Sequence, residues 1–154
     1  MCLLLTYFEG AWSYKVCESS NGRSREFFVK GFIDVFSSPH NNAGVLTQLG
    51  EILYKDARCG FFHEGLFRDR IYIASMNTDI AITLPRVNGA IDVGGRIQTA
   101  LIDVSRCAAG VEKHFTKTIG HLRDSANATS REAFRKFFKA QCDWSSPGPI
   151  VALT

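Results

Sequence analysis

The sequence predicts a mostly helical domain with a small β insert. Apolar residues recur at three- and four-residue spacing in five segments, which is the pattern of amphipathic helices. The segments cover residues 3–17, 25–36, 43–63, 103–121 and 131–142. Between the third and fourth segments the apolar residues become β-branched and are separated by turn residues. We therefore expect a bundle of about five helices with an antiparallel β insert at about residues 70–101, all within one domain spanning residues 1–144.

Length and composition fit this single domain. The chain has 154 residues, of which 45% are hydrophobic and 21% charged, an ordinary globular mixture. No apolar run approaches the ~20 residues of a membrane span, and the apolar opening lacks the basic start of a signal peptide. We expect no membrane contact and a core helix at the opening. The net charge of +3 is mild, so any attraction to nucleic acid must come from local clusters.

The cysteines give no support for a metal centre. Five of them are scattered along the chain without paired spacing, which favours neither a zinc site nor a disulfide framework. They are Cys2, Cys17, Cys59, Cys107 and Cys142. Reduced thiols of this kind are typical of a cytoplasmic protein, and we expect neither a metal nor another cofactor.

The first two helices flank a turn. Leu4, Phe8 and Trp12 lie on the apolar stripe of the first helix, and Glu9 lies off it. A carboxylate in that position is most often solvated, and the alternative is a second acid close to the functional residues described below. A turn over residues 18–25 follows, and Ser24 is a candidate N-cap for the second helix.

The third helix should run over residues 43–63. At about 100° per residue, Tyr54 and Arg58 share one face, whereas Arg58 and His63 are about 140° apart. Gly60 lies between them and Gly65 follows them. We therefore expect the helix to loosen or end here, so that the arginine and the imidazole can reach one pocket.

The phrase Arg-Cys-Gly-Phe-Phe-His-Glu-Gly at residues 58–65, preceded by Tyr54, resembles the Arg-x4-6-His motif of the HEPN superfamily. Members of that superfamily are helical domains. Many are metal-independent endoribonucleases of toxin, antiphage and RNA-processing systems, and others are not catalytic. The residue after the arginine is commonly Asn, Asp or His in that family, and here it is Cys59.

The resemblance implies roles for individual residues. Arg58 would hold the scissile phosphate, and His63 would act as general base or acid on the ribose 2′-hydroxyl or the leaving oxygen. Tyr54, Cys59, Glu64 and Glu9 would support them. Products with 2′,3′-cyclic phosphate ends and a homodimer with facing motifs are also implied, and a cognate antitoxin or a nucleotidyltransferase is a possible partner.

Two other interpretations stay open. His63 could simply complement the C-terminal dipole of the helix. The phrase could also serve dimerisation or partner binding without catalysis, in which case changes at Phe61 or Phe62 would disrupt the dimer. A third alternative is an RNA-binding regulator that uses the last helix without cutting.

After the motif, the β insert should begin with a hairpin of residues 70–74 and 80–84. Two further strands are expected near residues 90–93 and 96–102. Gly94 and Gly95 also lie in this region, but they do not belong to the glycine-rich sequence pattern of a phosphate-binding loop or of a dinucleotide-binding site.

The last two helices are predicted from a regular apolar seam and three phenylalanines. Asp103 should begin the fourth helix, and Ser130 is the expected N-cap of the fifth. Four cations decorate the fifth helix, either as a solvated face or as a strip that tracks RNA phosphates. They are Arg131, Arg135, Lys136 and Lys139. Residues 145–154 are expected to be a disordered tail.

Overall fold

The computed structural model describes residues 1–39, 41–68 and 70–142, and it confirms a mostly helical fold with a small β insert. The helical elements are α1 (Cys2–Val16), α2 (Ser24–Phe36), α3 (Ala43–Ile52), a π-helical segment (Leu53–Cys59), α4 (Gly60–Glu64), α5 (Val104–Arg123), a 3-10 turn (Ser125–Asn127) and α6 (Ala128–Gln141). The strands are β1 (Ile71–Ile73), β2 (Ile80–Thr83), β3 (Arg86–Val87), β4 (Ala90–Ile91) and β5 (Thr99–Ile102). The predicted tail and the last two residues of the predicted domain lie outside the described residues.

The core is built on close contact between α1 and α2. Phe8 of α1 packs edge-on against Phe28 and Phe32 of α2, with ring centroids 5.4 and 5.5 Å apart. Gly31 permits this approach, because a Cβ atom there would lie 1.8 Å from the Phe8 carbonyl oxygen. The first two predicted helices are therefore confirmed, although Ser24 is the first helical residue of α2 and Arg23 occupies the N-cap.

The predicted third helix is confirmed as one helical path through α3, the π-helical segment and α4. The Asn42 side chain caps its start by accepting hydrogen bonds from the Gly44 and Val45 backbone N–H groups, at 2.8 and 3.2 Å. The path ends at Gly65, whose φ of 71° places it in the left-handed region. The π-helical segment in the middle was not predicted, and such segments often occur at functional sites.

The predicted hairpin between the first two strands is wrong. β5 lies between β1 and β2, pairing in parallel with β1 and antiparallel with β2. β5 takes the centre because Ala100 and Ile102 are buried against the helices, whereas the neighbouring strands keep exposed residues. The sheet is thus mixed, and β3 and β4 form the actual hairpin through Asn88 and Gly89, both with positive φ.

The last two helices begin on different signals. Asp103 is the N-cap of α5, as predicted, and accepts a hydrogen bond from the Arg106 N–H at 3.1 Å. Ser130 lies inside α6 and is not its cap. The helix already begins at Ala128, directly after the 3-10 turn. None of the helices among the described residues is long and apolar enough to cross a lipid bilayer.

Candidate functional site

Arg58 lies at the end of the π-helical segment and forms an ion pair with Glu9 of α1. Its Nη2 atom donates to Glu9 Oε2 at 2.6 Å. The two side chains are only 25% and 14% exposed, which distinguishes this contact from the surface ion pairs of the chain. The expectation that Glu9 is solvated is therefore wrong, because the side of α1 that carries it faces the motif. The alternative, a carboxylate close to the motif arginine, is what the structure contains.

A serine holds the second oxygen of the Glu9 carboxylate. Ser20, in the loop between α1 and α2, donates its hydroxyl to Glu9 Oε1 at 2.7 Å. Both oxygens of Glu9 are thus engaged, so its orientation toward Arg58 is set from two directions. Nothing in the sequence indicates Ser20, since its role depends on how the loop folds back.

Tyr54 lies beneath the guanidinium, as its predicted shared face with Arg58 requires. The Arg58 Cζ atom is 5.2 Å from the centre of the Tyr54 ring, a cation–π contact. Burial raises the pKa of Tyr54, and the neighbouring Cys59 and Glu9 raise it further against the opposing effect of Arg58. Tyr54 therefore keeps its proton at neutral pH.

His63 and Glu64 lie in the last turn of α4 and are exposed. Glu64 pairs with Arg68, which lowers the pKa of that carboxyl group with a smaller effect from His63. The carboxylate thus orders the chain that follows the motif. The helix loosens over the π-helical segment and ends at Gly65, as expected for this stretch, while Gly60 itself has ordinary α-helical dihedral angles.

Gly60 has a packing role instead. A Cβ atom at this position would lie 2.9 Å from the carbonyl oxygen of Leu66, so glycine lets the chain after α4 fold back. The returning chain is fastened by the Arg68 N–H, which donates to the Asp56 carbonyl oxygen at 2.9 Å. The buried Asp56 carboxylate also accepts from Arg70 Nε at 2.8 Å, joining the π-helical segment to the start of the β insert. Nothing local in the sequence indicates this pair.

The predicted RNA-binding residues divide into two groups. Arg131 donates to the carbonyl oxygens of Leu122 and Asp124 at 3.5 and 3.3 Å, where it caps the end of α5. Arg135, Lys136 and Lys139 are exposed on α6. Arg131 thus has a structural contact, and the other three remain available to a ligand.

A second polar network, also missed by sequence analysis, joins three helices. The Tyr7 hydroxyl lies 2.9 Å from His114 Nδ1, and His114 Nε2 lies 3.0 Å from Asp34 Oδ2. Lys15 donates to the other oxygen of Asp34 at 2.5 Å. Burial raises the pKa of Tyr7, and Asp34 adds to that effect. The network therefore fastens α5 to α1 and α2 through a tyrosine that stays neutral.

Comparison with known proteins finds no match to this chain, whether among family models, curated proteins or solved structures. Among the described residues, no group of three or more His, Cys, Asp and Glu side chains is arranged to hold a metal ion. The interpretation of the site therefore depends on its own residues and geometry.

Proposed function

We propose that the protein is a metal-independent endoribonuclease of the HEPN type, with Arg58 and His63 as its catalytic residues. The observation that supports this most directly is the Glu9–Arg58 ion pair. It holds a guanidinium in a fixed orientation five residues before an exposed histidine, within the motif that resembles the HEPN phrase. Oriented cations are a main source of stabilisation for a charged transition state.

In this proposal the phosphodiester of RNA binds the guanidinium of Arg58, whose planar fork of N–H groups matches phosphate oxygens. His63 removes the proton from the ribose 2′-hydroxyl, whose oxygen then attacks phosphorus. The bond from phosphorus to the 5′-oxygen breaks, and that oxygen takes up a proton. The products are a 2′,3′-cyclic phosphate and a free 5′-hydroxyl.

We infer that two chains pair with their motifs facing each other. Arg58 is three-quarters covered and His63 is exposed at the end of α4, so a facing motif would bring imidazole and guanidinium from different directions onto one phosphate. A cognate antitoxin or a nucleotidyltransferase would act by covering the same exposed end. A role in toxin, antiphage or RNA-processing systems follows from the resemblance.

A non-catalytic dimerisation or partner-binding module is the second candidate. It is favoured by the network in which Glu9 neutralises the charge of Arg58 and Ser20 holds Glu9 in place, since networks of this kind also serve purely structural roles. A regulator that binds RNA without cutting is a third. A stable dimer without RNA cleavage would identify the module, and salt-dependent binding without product would identify the regulator.

The deciding experiment incubates mixed RNA with the purified protein in the presence of EDTA and maps the product ends. We expect the parent to leave cyclic phosphate ends, and His63→Ala and Arg58→Ala to lose roughly 10²–10⁴-fold in rate. His121→Ala is the matched control, because His121 is an exposed histidine of α5 outside the motif. Equal cleavage by the parent and both motif variants would contradict the proposed mechanism.

A further inference from the structure

Positive charge is concentrated in α5 and α6. Residues 104–142 contain eight Lys and Arg against three Asp and Glu, a formal charge of +5, although the whole chain carries only +3. The remainder of the chain is therefore negative overall. The eight cations are Arg106, Lys113, Lys117, Arg123, Arg131, Arg135, Lys136 and Lys139.

The cations of α5 and α6 also differ from those earlier in the chain in how they are paired. Of the ten Lys and Arg residues before α5, seven pair with a carboxylate. In the part of the chain that the structure describes, none of the eight cations in α5 and α6 forms a salt bridge with Asp or Glu. Arg106 and Arg131 donate to backbone carbonyl groups, and the other six are exposed. Their charge is left to solvent or to an external anion.

The cations are arranged at helical spacing. Lys113 and Lys117 lie one turn apart beside an open depression on α5 that Ala109, Glu112 and Thr116 also line. On α6, Arg135 and Lys139 repeat the same spacing. Exposed cations that are clustered on helices and lack carboxylate partners are the electrostatic footprint of nucleic-acid binding.

We propose that this α5–α6 surface binds RNA through its phosphates. The surface comprises Lys113, Lys117, Arg123, Arg135, Lys136 and Lys139. The inference rests on the proposed function, because the bound strand is the one that Arg58 and His63 cleave. An anionic membrane is a poorer fit, since a surface helix binds lipid through a free apolar face, and α6 packs its phenylalanines against Tyr14.

Binding is tested on the His63→Ala protein, so that cleavage cannot interfere, by anisotropy of a short labelled single-stranded RNA. Two charge-reversal pairs, Lys113→Glu with Lys117→Glu and Arg135→Glu with Lys139→Glu, are expected to weaken binding at least about tenfold at low salt. Each lost phosphate contact should reduce the slope of log affinity against log salt by about 0.7.

The matched control is Arg86→Glu with Arg96→Glu, which changes the net charge equally on exposed arginines of the β insert. We expect this control to retain the parent affinity. Equal weakening by the control, unchanged binding by the α5 and α6 variants, or tighter binding of anionic vesicles would overturn the proposal. Cleavage by a parent whose surface variants bind normally would refute the surface and leave the proposed function standing. RNA binding that depends on the surface, without any cleavage, would support the surface and contradict the proposed function.

Discussion

Glu9 uses both carboxylate oxygens, one toward Arg58 and one toward Ser20, in a position that is mostly covered. We expect Glu9→Gln to lower the free energy of unfolding by about 1–3 kcal/mol, because it leaves the Arg58 charge without its counter-ion. Urea unfolding would measure the change. Glu18→Gln is the control, since Glu18 is 55% exposed in its pair with Arg23, and we expect less than about 0.5 kcal/mol there. Equal effects would mean that burial does not strengthen the Glu9 pair.

Asp34 makes the stability of the protein depend on pH in the acidic range. Burial works to raise the pKa of Asp34, but hydrogen bonds from Lys15 and His114 outweigh it and hold this pKa below its ordinary value. A carboxyl group with a lowered pKa contributes stability above its unfolded pKa and loses it as the pH falls through the folded one. We therefore expect Asp34→Asn to flatten the loss of stability below about pH 4. Thermal unfolding across that range would detect this, and an unchanged acid limb would contradict it.

At the scale of elements, α1 and α2 meet at Gly31, where any side chain would collide with the Phe8 backbone. We expect Gly31→Ala to cost roughly 3 kcal/mol or more, or to prevent folding. Gly10→Ala is the control within α1, because a Cβ atom there has no neighbour within 4 Å. It should stabilise the helix by about 0.5–1 kcal/mol. Similar melting temperatures for the two variants would show that the helices can shift apart freely.

The helices were predictable because their apolar spacing is local, and the strand order was not. The residues of β1 and β2 look alike in sequence, and nothing local indicates that both pair with β5. That choice depends on burial of Ala100 and Ile102 against helices distant in the chain. The π-helical segment was hidden for a similar reason, since apolar spacing does not distinguish one inserted residue from an ordinary helix.

At the scale of the whole molecule, α6 is attached through aromatic contacts with Tyr14. Three rings of α6 lie within 5.3–6.2 Å of the Tyr14 ring centre, and no residue of α6 itself is buried. We expect Tyr14→Ala to detach α6 and to reduce its amide protection by at least roughly tenfold, while α2 keeps its protection. Hydrogen exchange would measure this. Tyr72→Ala, at an exposed tyrosine of β1, should leave α6 protected, and an identical loss would contradict the attachment.

The candidate site was predictable only where it lies on one helix. Tyr54 and Arg58 share a face because both belong to the same helical path. Ser20, Asp56 and Arg70 come from other segments and meet the motif only after the chain has folded. Glu9 was identified as a possible neighbour of the motif, but its contact with Arg58 requires the tertiary arrangement of α1.

The reactivity of the Cys107 thiol reports on opening of the core. Burial raises the pKa of this thiol to about 12, with help from Asp79 and Asp103, so at neutral pH only about one thiol in 10⁵ is a thiolate. An alkylating reagent can therefore modify Cys107 only after the start of α5 separates from the sheet. Cys17, Cys59 and Cys142 are partly exposed and react before Cys107. Site-resolved labelling of Cys107 would thus report how often this protein opens under native conditions, without a substitution to introduce a reactive group.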